Sequence, residues 1–442
     1  MMLKDVVNFI GGLIPMGCSS SSELEPHTGV QKDAGADAET SMEAGADVSV
    51  ETGQDAKPES SVDASLDAAQ DAEGGAIEDA DAAPATPNAP GVSVYSPAPC
   101  AFPASLTYNP ADDRLYMSCG GAQNALWRSP TMGTSGAWGI AGTAGGYPSN
   151  HAMIDDRYAV IAHSMPDGFT IIDTVTNTVS QQVNFSNLNI LDESNNSLPF
   201  TPNSPSGIVV AGGTIYIATN NIDTADFSHP ENTTFHPGTL IAFHFNGNGT
   251  IDTGSAKAHI TSCLNPTGTA KIDDATIAVL SSGSYDPATT EAELEICTLP
   301  AFDCTATQLG NLTAQTSPVM PITASGLILV GIQKPTNRIV GIDIATNAIA
   351  MDRAMPDIEN FISNIASYDD VAVVNDFGSF GVGSAILFAH TNPAGWGGIP
   401  ITPLPWGSTG PAVIVGDALY VATTSNDGME GRVSKVNMSG ME

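Results

Sequence analysis

The sequence predicts an all-β fold, a seven-bladed β-propeller preceded by a disordered acidic tether. Three observations carry that expectation: a hairpin pattern written seven times, a near-regular spacing of the copies, and strands whose apolar runs imply burial on both faces. The clearest copies are Ser206-Gly-Ile-Val-Val-Ala-Gly-Gly-Thr-Ile-Tyr-Ile-Ala-Thr-Asn220 and Gly410-Pro-Ala-Val-Ile-Val-Gly-Asp-Ala-Leu-Tyr-Val-Ala-Thr-Thr424. Each reads as two β-branched runs around a Gly or Asp turn, which is a hairpin signal.

Aligned on their second strands, the copies are Arg114–Cys119, Tyr158–His163, Thr214–Thr219, Thr276–Ser281, Leu327–Ile332, Val371–Asn375 and Ala418–Thr423. Intervals of about 43 to about 62 residues leave room for four short strands and their loops. Continuous apolar runs rather than strict alternation place the core between stacked blades. Third strands are expected at Ala125–Arg128, Phe169–Asp173, Leu240–His244, Glu293–Cys297, Arg338–Asp343, Ala385–Phe388 and Arg432–Val436. The chain closes its last copy with three strands, so Gly91-Val-Ser-Val-Tyr95 is expected to supply the fourth and remove an open edge.

Two third strands run into near-identical turns, Ile172-Asp-Thr-Val-Thr-Asn-Thr-Val179 and Ile342-Asp-Ile-Ala-Thr-Asn-Ala-Ile349. Asp holds such a turn by accepting from backbone amides, and Asn tolerates the left-handed residue that closes it. With Leu419-Tyr-Val-Ala-Thr423, these hairpins resemble the YVTN-type propeller repeat of bacterial surface proteins, over about residues 93–442 and most clearly in the second, third, fifth and seventh copies. The resemblance implies a fold and a surface setting rather than an activity.

Composition divides the chain into an N-terminal segment (1–18), an acidic linker (19–90) and the repeat region (91–442). The linker holds seventeen Asp and Glu against Lys32 and Lys57, with Ala, Ser, Gly and Thr filling most of the rest. Too little apolar surface is present to offset the entropy of ordering it. The linker carries −15 of the formal charge of −35, leaving about −20 for the remainder. Such a surface repels nucleic acid and anionic headgroups, and leaves cations, neutral glycans and proteins as partners.

Residues 1–17 carry Lys4, a short apolar run from Val6 to Met16, and then Gly17-Cys18 before four serines. The run is too short for a permanent span but suits the core of a signal peptide. It looks like a bacterial lipoprotein signal, which implies lipidation at Cys18 and a place in the cell envelope, as an outer-membrane lipoprotein or secreted. Extended, the linker reaches roughly 230 Å, and as a flexible coil about 50 Å, so the domain stands clear of lipid.

The remaining cysteines suit an oxidising compartment. Cys297 and Cys304 flank a turn, and Cys100 precedes the first strand of a hairpin that Cys119 ends, so Cys297–Cys304 and Cys100–Cys119 are the expected disulfides. Cys263 is left over, and the spacings admit other pairings. No CxxC or CxxCH is present, which argues against structural zinc and covalent haem.

Propeller topology brings the loops between blades and the loops joining second to third strands to one face, around the mouth of the channel. That face collects Asn150, His151, His163, Asp167, Asn203, Asn220, Asp223, Asn265, Asp286, Asn364, Asn375, Asp376, Asn426 and Asp427. Oxygen convergence of this kind suits Ca²⁺, for which Asn203, Asn220 and Asp376 are the candidate ligands; the competing reading is that these side chains cap turns. The longest insertion, residues 220–238, adds Asp226, His229, Glu231 and His236. His163, Ser164 and Asp167 lie close in sequence, but no GxSxG elbow, Rossmann fingerprint, phosphate loop or HExxH accompanies them. Asn246-Gly-Asn-Gly249 reads as a hairpin turn, and Trp396 and Trp406 as packing residues near the sixth-to-seventh connection.

The function these observations favour is a monomeric binding module at the cell surface or in the periplasm, reading a protein or glycan, held to the membrane through its lipid anchor alone. No catalytic residue is assigned. A lactonase-like hydrolase with a channel-mouth metal and a structural envelope component are the alternatives.

Overall fold

The computed structural model describes residues 92–438 except 99, 101, 121–123, 226–231, 284–291, 310–319, 323–325, 333–335, 357, 359–361, 369–370, 377–385, 391–398, 401–407 and 425–430. The expected signal segment, Cys18 and the acidic linker lie outside these residues, as do Asp226, His229, Glu231, Asp286, Trp396, Trp406, Asn426 and Asp427.

The fold is an all-β propeller. Among the described residues, six sheets are four-stranded antiparallel meanders, one has five strands, and one two-stranded ribbon stands apart. The first sheet takes Phe102–Asn109, Arg114–Gly120, Ala125–Arg128 and Gly139–Thr143, and the second takes Tyr147–Met153, Tyr158–Ser164, Gly168–Asp173 and Thr178–Asn184. The fourth takes Pro266–Lys271, Thr276–Ser281, Glu293–Thr298 and Asp303–Gln308. The fifth runs from Met320 to Ala354 and the sixth from Ile362 to Pro400. The repeats predict seven four-stranded blades, and the third sheet departs from that form. Its strands Pro205–Ala211, Thr214–Thr219, Thr239–His244 and Lys257–Ile260 make the meander, and Leu191–Asp192 adds a fifth strand parallel to Lys257–Ile260. The ribbon, Ile222–Thr224 with Thr234–Phe235, rises from the long insertion.

The first strands of these sheets touch one another in succession, and the innermost strand of the last sheet, Ser408–Val415, meets Phe102–Asn109 of the first. The last sheet is completed from the N-terminal side: Val92–Ala98 pairs antiparallel with Gly431–Asn437, in register from Val92 opposite Val436 to Ala98 opposite Gly431. Gly431 is required there because a Cβ would lie 1.6 Å from the Cys100 carbonyl oxygen.

Packing follows the strand pattern. Because both faces of each sheet are covered, the core is a series of layers between sheets. Phe169, Phe185 and Phe243 pack with Ile208, Ile215 and Ile217 between the second and third. Val209, Tyr216, Ile277, Val279 and Phe302 fill the third–fourth layer, and Leu280, Leu294, Ile328 and Val330 the fourth–fifth. Fully burying one such side chain contributes about 1.5–3 kcal/mol. Both expected disulfides are formed, Cys100–Cys119 and Cys297–Cys304. Cys263 is also buried.

The turns behave as their residues dictate. Asp173 Oδ1 accepts from the amides of Val175 and Thr176 at 3.0 and 3.2 Å, and Asn177 takes φ 57°. Asp343 Oδ1 accepts from Thr346 N at 2.8 Å, with Asn347 at φ 51°. Asn246–Gly249 is a turn closed by a bridge between Phe245 and Ile251, with Gly247 at φ 77°.

Candidate functional site

A recurring bulge shapes the channel-mouth face. In six sheets the innermost hairpin slips register near its start: Pro103/Ser105, Pro148/Asn150, Pro205/Gly207, Pro266/Gly268, Ile362/Asn364 and Thr409/Ala412. Proline is tolerated at such a point because it has no N–H to pair. The residue after it is often a hydroxyl donor to the neighbouring strand: Ser149 to Ala162 O at 3.2 Å, Ser206 to Ala218 O at 3.4 Å, Thr267 to Leu280 O at 3.5 Å and Ser363 to Asn375 O at 3.4 Å. These bonds pin the loops that emerge beside each bulge.

Much of the expected polar set on this face is spent on the same task. The Ser204 amide donates to Asp167 Oδ1 at 2.7 Å, joining the second sheet to the start of the third. Asn203 takes the Ile222 amide on Oδ1 at 2.8 Å and gives Nδ2 to Ile222 O at 2.9 Å. Asn220 Nδ2 donates to Asn265 Oδ1, joining third to fourth. Asn221, at φ 57°, takes the Asn203 amide and donates to Pro237 O at 2.6 Å. Asn364 Nδ2 reaches Ala412 O at 3.1 Å, joining sixth to last.

The candidate calcium ligands divide. Asn203 and Asn220 flank one loop cluster at the third sheet, whereas Asp376, with Asn375, belongs to the sixth.

The histidines are held in place. His151 is buried, its Nε2 2.8 Å from Thr107 Oγ1, and burial pulls its pKa down to about 3. Asn150 Oδ1 accepts from the His151 amide at 2.8 Å. His163 is fully buried, and its pKa is lowered by burial. Its Nδ1 lies 2.8 Å from Pro166 O; a carbonyl only accepts, so Nδ1 carries the proton and Nε2 accepts from Thr170 Oγ1 at 3.1 Å. The Asp167 carboxyl, its pKa raised by burial, accepts from the Ser204 amide, while the His163 ring is held by Pro166 and Thr170, so the two are occupied separately. Asp223 accepts from Thr234 Oγ1 at 3.2 Å and lies 3.4 Å from His236 Nε2, and the His236 ring stacks on Phe200. Nearby, Phe185 with residues 188–190 and 198–202 lines a groove of about 210 Å³ whose walls include Leu188, Leu198, Phe200 and Pro202.

A second polar cluster, not singled out by the sequence, lies between the third and fourth sheets. Strand alternation turns Ile277, Val279 and Cys297 toward the third sheet, and so Ser281, Glu293 and Glu295 as well. From the third sheet come His259 and, just beyond it, Ser262. His259 Nδ1 meets Glu193 Oε1, Nε2 lies 3.4 Å from Glu295 Oε1, and the ring stacks on Phe302 with centroids 5.7 Å apart. Carboxylates only accept, so two carboxylates on the two ring nitrogens favour the doubly protonated, charged ring. Burial opposes that charge, but bonds and attraction from Glu295 and Glu193 outweigh it, and the pKa is raised. The Ser262 amide and hydroxyl reach Glu295 Oε1 at 3.1 and 2.9 Å, and the hydroxyl also meets Glu293 Oε1. The sulfurs of Cys297 and Cys304 and a His259 nitrogen lie within 4.8 Å of one another, but the sulfurs are joined and offer no thiolate. Glu293-Leu-Glu, two acids two apart on an otherwise apolar strand, marks two buried acids in the sequence but not the partners that the facing sheet brings to them.

The fold is similar to a solved structure described as RRP9 WD40 repeats, with a TM-score of 0.56 over 79% of this chain and 99% of that one. At 8% identity the likeness shows a WD40-like propeller fold alone. No family model matches the chain, and no curated protein matches it.

Proposed function

We propose that this protein is a binding module of the bacterial cell envelope, a seven-bladed propeller in which the five-stranded third sheet counts as a blade. In this reading the channel-mouth face contacts a protein or glycan, the segment 19–90 is the tether, and Cys18 is the lipidated residue. One observation carries the binding reading: the loops of that face are fixed by side-chain bonds to backbone and to one another, from Asp167–Ser204 through Asn220–Asn265 round to Asn364–Ala412, which makes a preorganised platform. Ordering cost is met at folding rather than on association. The histidines there favour the same reading, since His151 and His163 are buried and held neutral.

The test is site-specific photocrosslinking of the full chain in intact cells, with the probe at Asp223 on the mouth face or at Val175 in a third-to-fourth-strand turn. Crosslinked partner is expected from Asp223 and not from Val175. Equal capture at both positions would overturn the assignment of the face. For the anchor, labelling with a palmitate analogue is expected to vanish in Cys18→Ser, and persistence refutes Cys18.

A further inference from the structure

We propose that the cleft between the third and fourth sheets is a calcium site, with Glu293, Glu295, Ser262 and Ser281 as its oxygen donors. It is separate from the Asn203, Asn220 and Asp376 set and does not depend on the binding-module reading. The two acids and Ser281 are almost wholly buried, at 4%, 3% and 1% exposure. Register aligns them: Ser281 stands opposite Glu293, which stands opposite Gln308, and Glu295 lies two residues further along the same face.

Two oxygens there lack a hydrogen-bond partner, Glu295 Oε2 and Ser281 Oγ. A shortage of protons adds to this. The Ser262 hydroxyl has one hydrogen, yet it meets both Glu293 Oε1 and Glu295 Oε1. It can donate to one carboxylate; its contact with the other sets two acceptors face to face. Among the described residues the cationic partner of Glu295 is His259, which Glu193 shares. A bound cation satisfies the Glu295 Oε2 and the hydroxyl lone pairs together, whereas a single proton bridges only one pair.

The donors select the ion. All are oxygens, and the nearby sulfurs are joined, which disfavours zinc and copper. Mg²⁺ keeps several of its waters, whereas Ca²⁺ accepts a flexible set of protein oxygens, which suits donors as deeply buried as Glu293, Glu295 and Ser281.

Groups facing His259 are Glu193 from the segment after Leu191–Asp192, and Glu295 and Phe302 from the fourth sheet, beside the non-titrating Cys297–Cys304 pair.

The experiment is calcium titration of the full chain by calorimetry, with thermal melts in chelator and in calcium. Wild type is expected to show one saturable site above the weak background of the acidic linker, and a raised melting temperature. Glu295→Gln is expected to weaken that site at least about tenfold while leaving the linker background. Ser281→Ala, a smaller change, guards against loss of folding and is expected to weaken binding several-fold. Absence of a saturable site in wild type, unchanged affinity in both variants, or an equal response to Mg²⁺ overturns the proposal.

Discussion

Closure of the ring rests on one strand, and its covalent clasp can be tested quantitatively. Val92–Ala98 completes the last sheet, while Phe102 begins the first, so Cys100 sits at the seam between them. Its disulfide to Cys119 lies in the core cluster that joins those sheets, with Leu106, Leu115, Trp127, Tyr420 and Val433. The two cysteines are separated by 19 residues, and closing a loop of that length removes unfolded-chain entropy equivalent to about 3 kcal/mol. The hairpin disulfide Cys297–Cys304, separated by 7, gives about 2.5 kcal/mol by the same relation. The stabilities are close, but the consequences differ in place. Cys100→Ala with Cys119→Ala is expected to cost about 3 kcal/mol in urea unfolding and to release the 92–98 amides to hydrogen exchange. Cys297→Ala with Cys304→Ala is expected to leave those amides protected. A loss under about 1 kcal/mol for the first pair, with the 92–98 amides still protected, would refute the clasp.

Gly431→Ala attacks the same seam by overpacking: its Cβ meets backbone 1.6 Å away, so a loss of about 1–3 kcal/mol is expected by chemical denaturation. His151 titrates with a lowered pKa, so the unfolded chain binds its proton first as pH falls below the ordinary value of 6.5, and stability drops toward its folded pKa of about 3. Between about pH 6.5 and 5, His151→Asn is expected to flatten the stability slope measured by urea unfolding, where each such histidine contributes up to about 1.4 kcal/mol per pH unit. Asn177→Gly is expected to be near neutral and Asn177→Val to cost about 1–2 kcal/mol in thermal unfolding, because the position is left-handed at φ 57°.

The strands were legible because their burial pattern repeats. Thr214–Thr219, Thr276–Ser281 and Leu327–Ile332 stand where the repeat places them, and the neighbouring second strands differ by a residue at their ends. The Asp–Asn turns and both disulfides were legible for a related reason: each is a local arrangement whose partners the hairpin brings together. The bulge was written in the sequence too, as Pro103, Pro148, Pro205 and Pro266 at the start of four innermost strands, but recognising it needs the register. The Glu293–Glu295 cluster was not legible, since its partners His259 and Ser262 come from the facing sheet. Alternation says which way a side chain turns and not what it meets.

The departure of the third sheet from the common form is what delivers that cluster. Leu191 and Asp192 pair in parallel with Lys257 and Ala258, and the next residue, Glu193, thereby reaches His259. A four-stranded blade would leave His259 with Glu295 alone. Glu193→Gln keeps the strand pairing and removes one of the two carboxylates that hold the imidazolium. The His259 pKa is therefore expected to fall toward its ordinary value, read by NMR titration of the ring protons. Because that pKa is raised, its stabilisation is present below the unfolded value of 6.5 and is lost as pH rises through the folded value. The variant is thus expected to narrow the stability difference between acidic and alkaline conditions. An unshifted His259 titration in Glu193→Gln would show that Glu295 alone sets the charge and that the extra strand has no electrostatic part in the cleft.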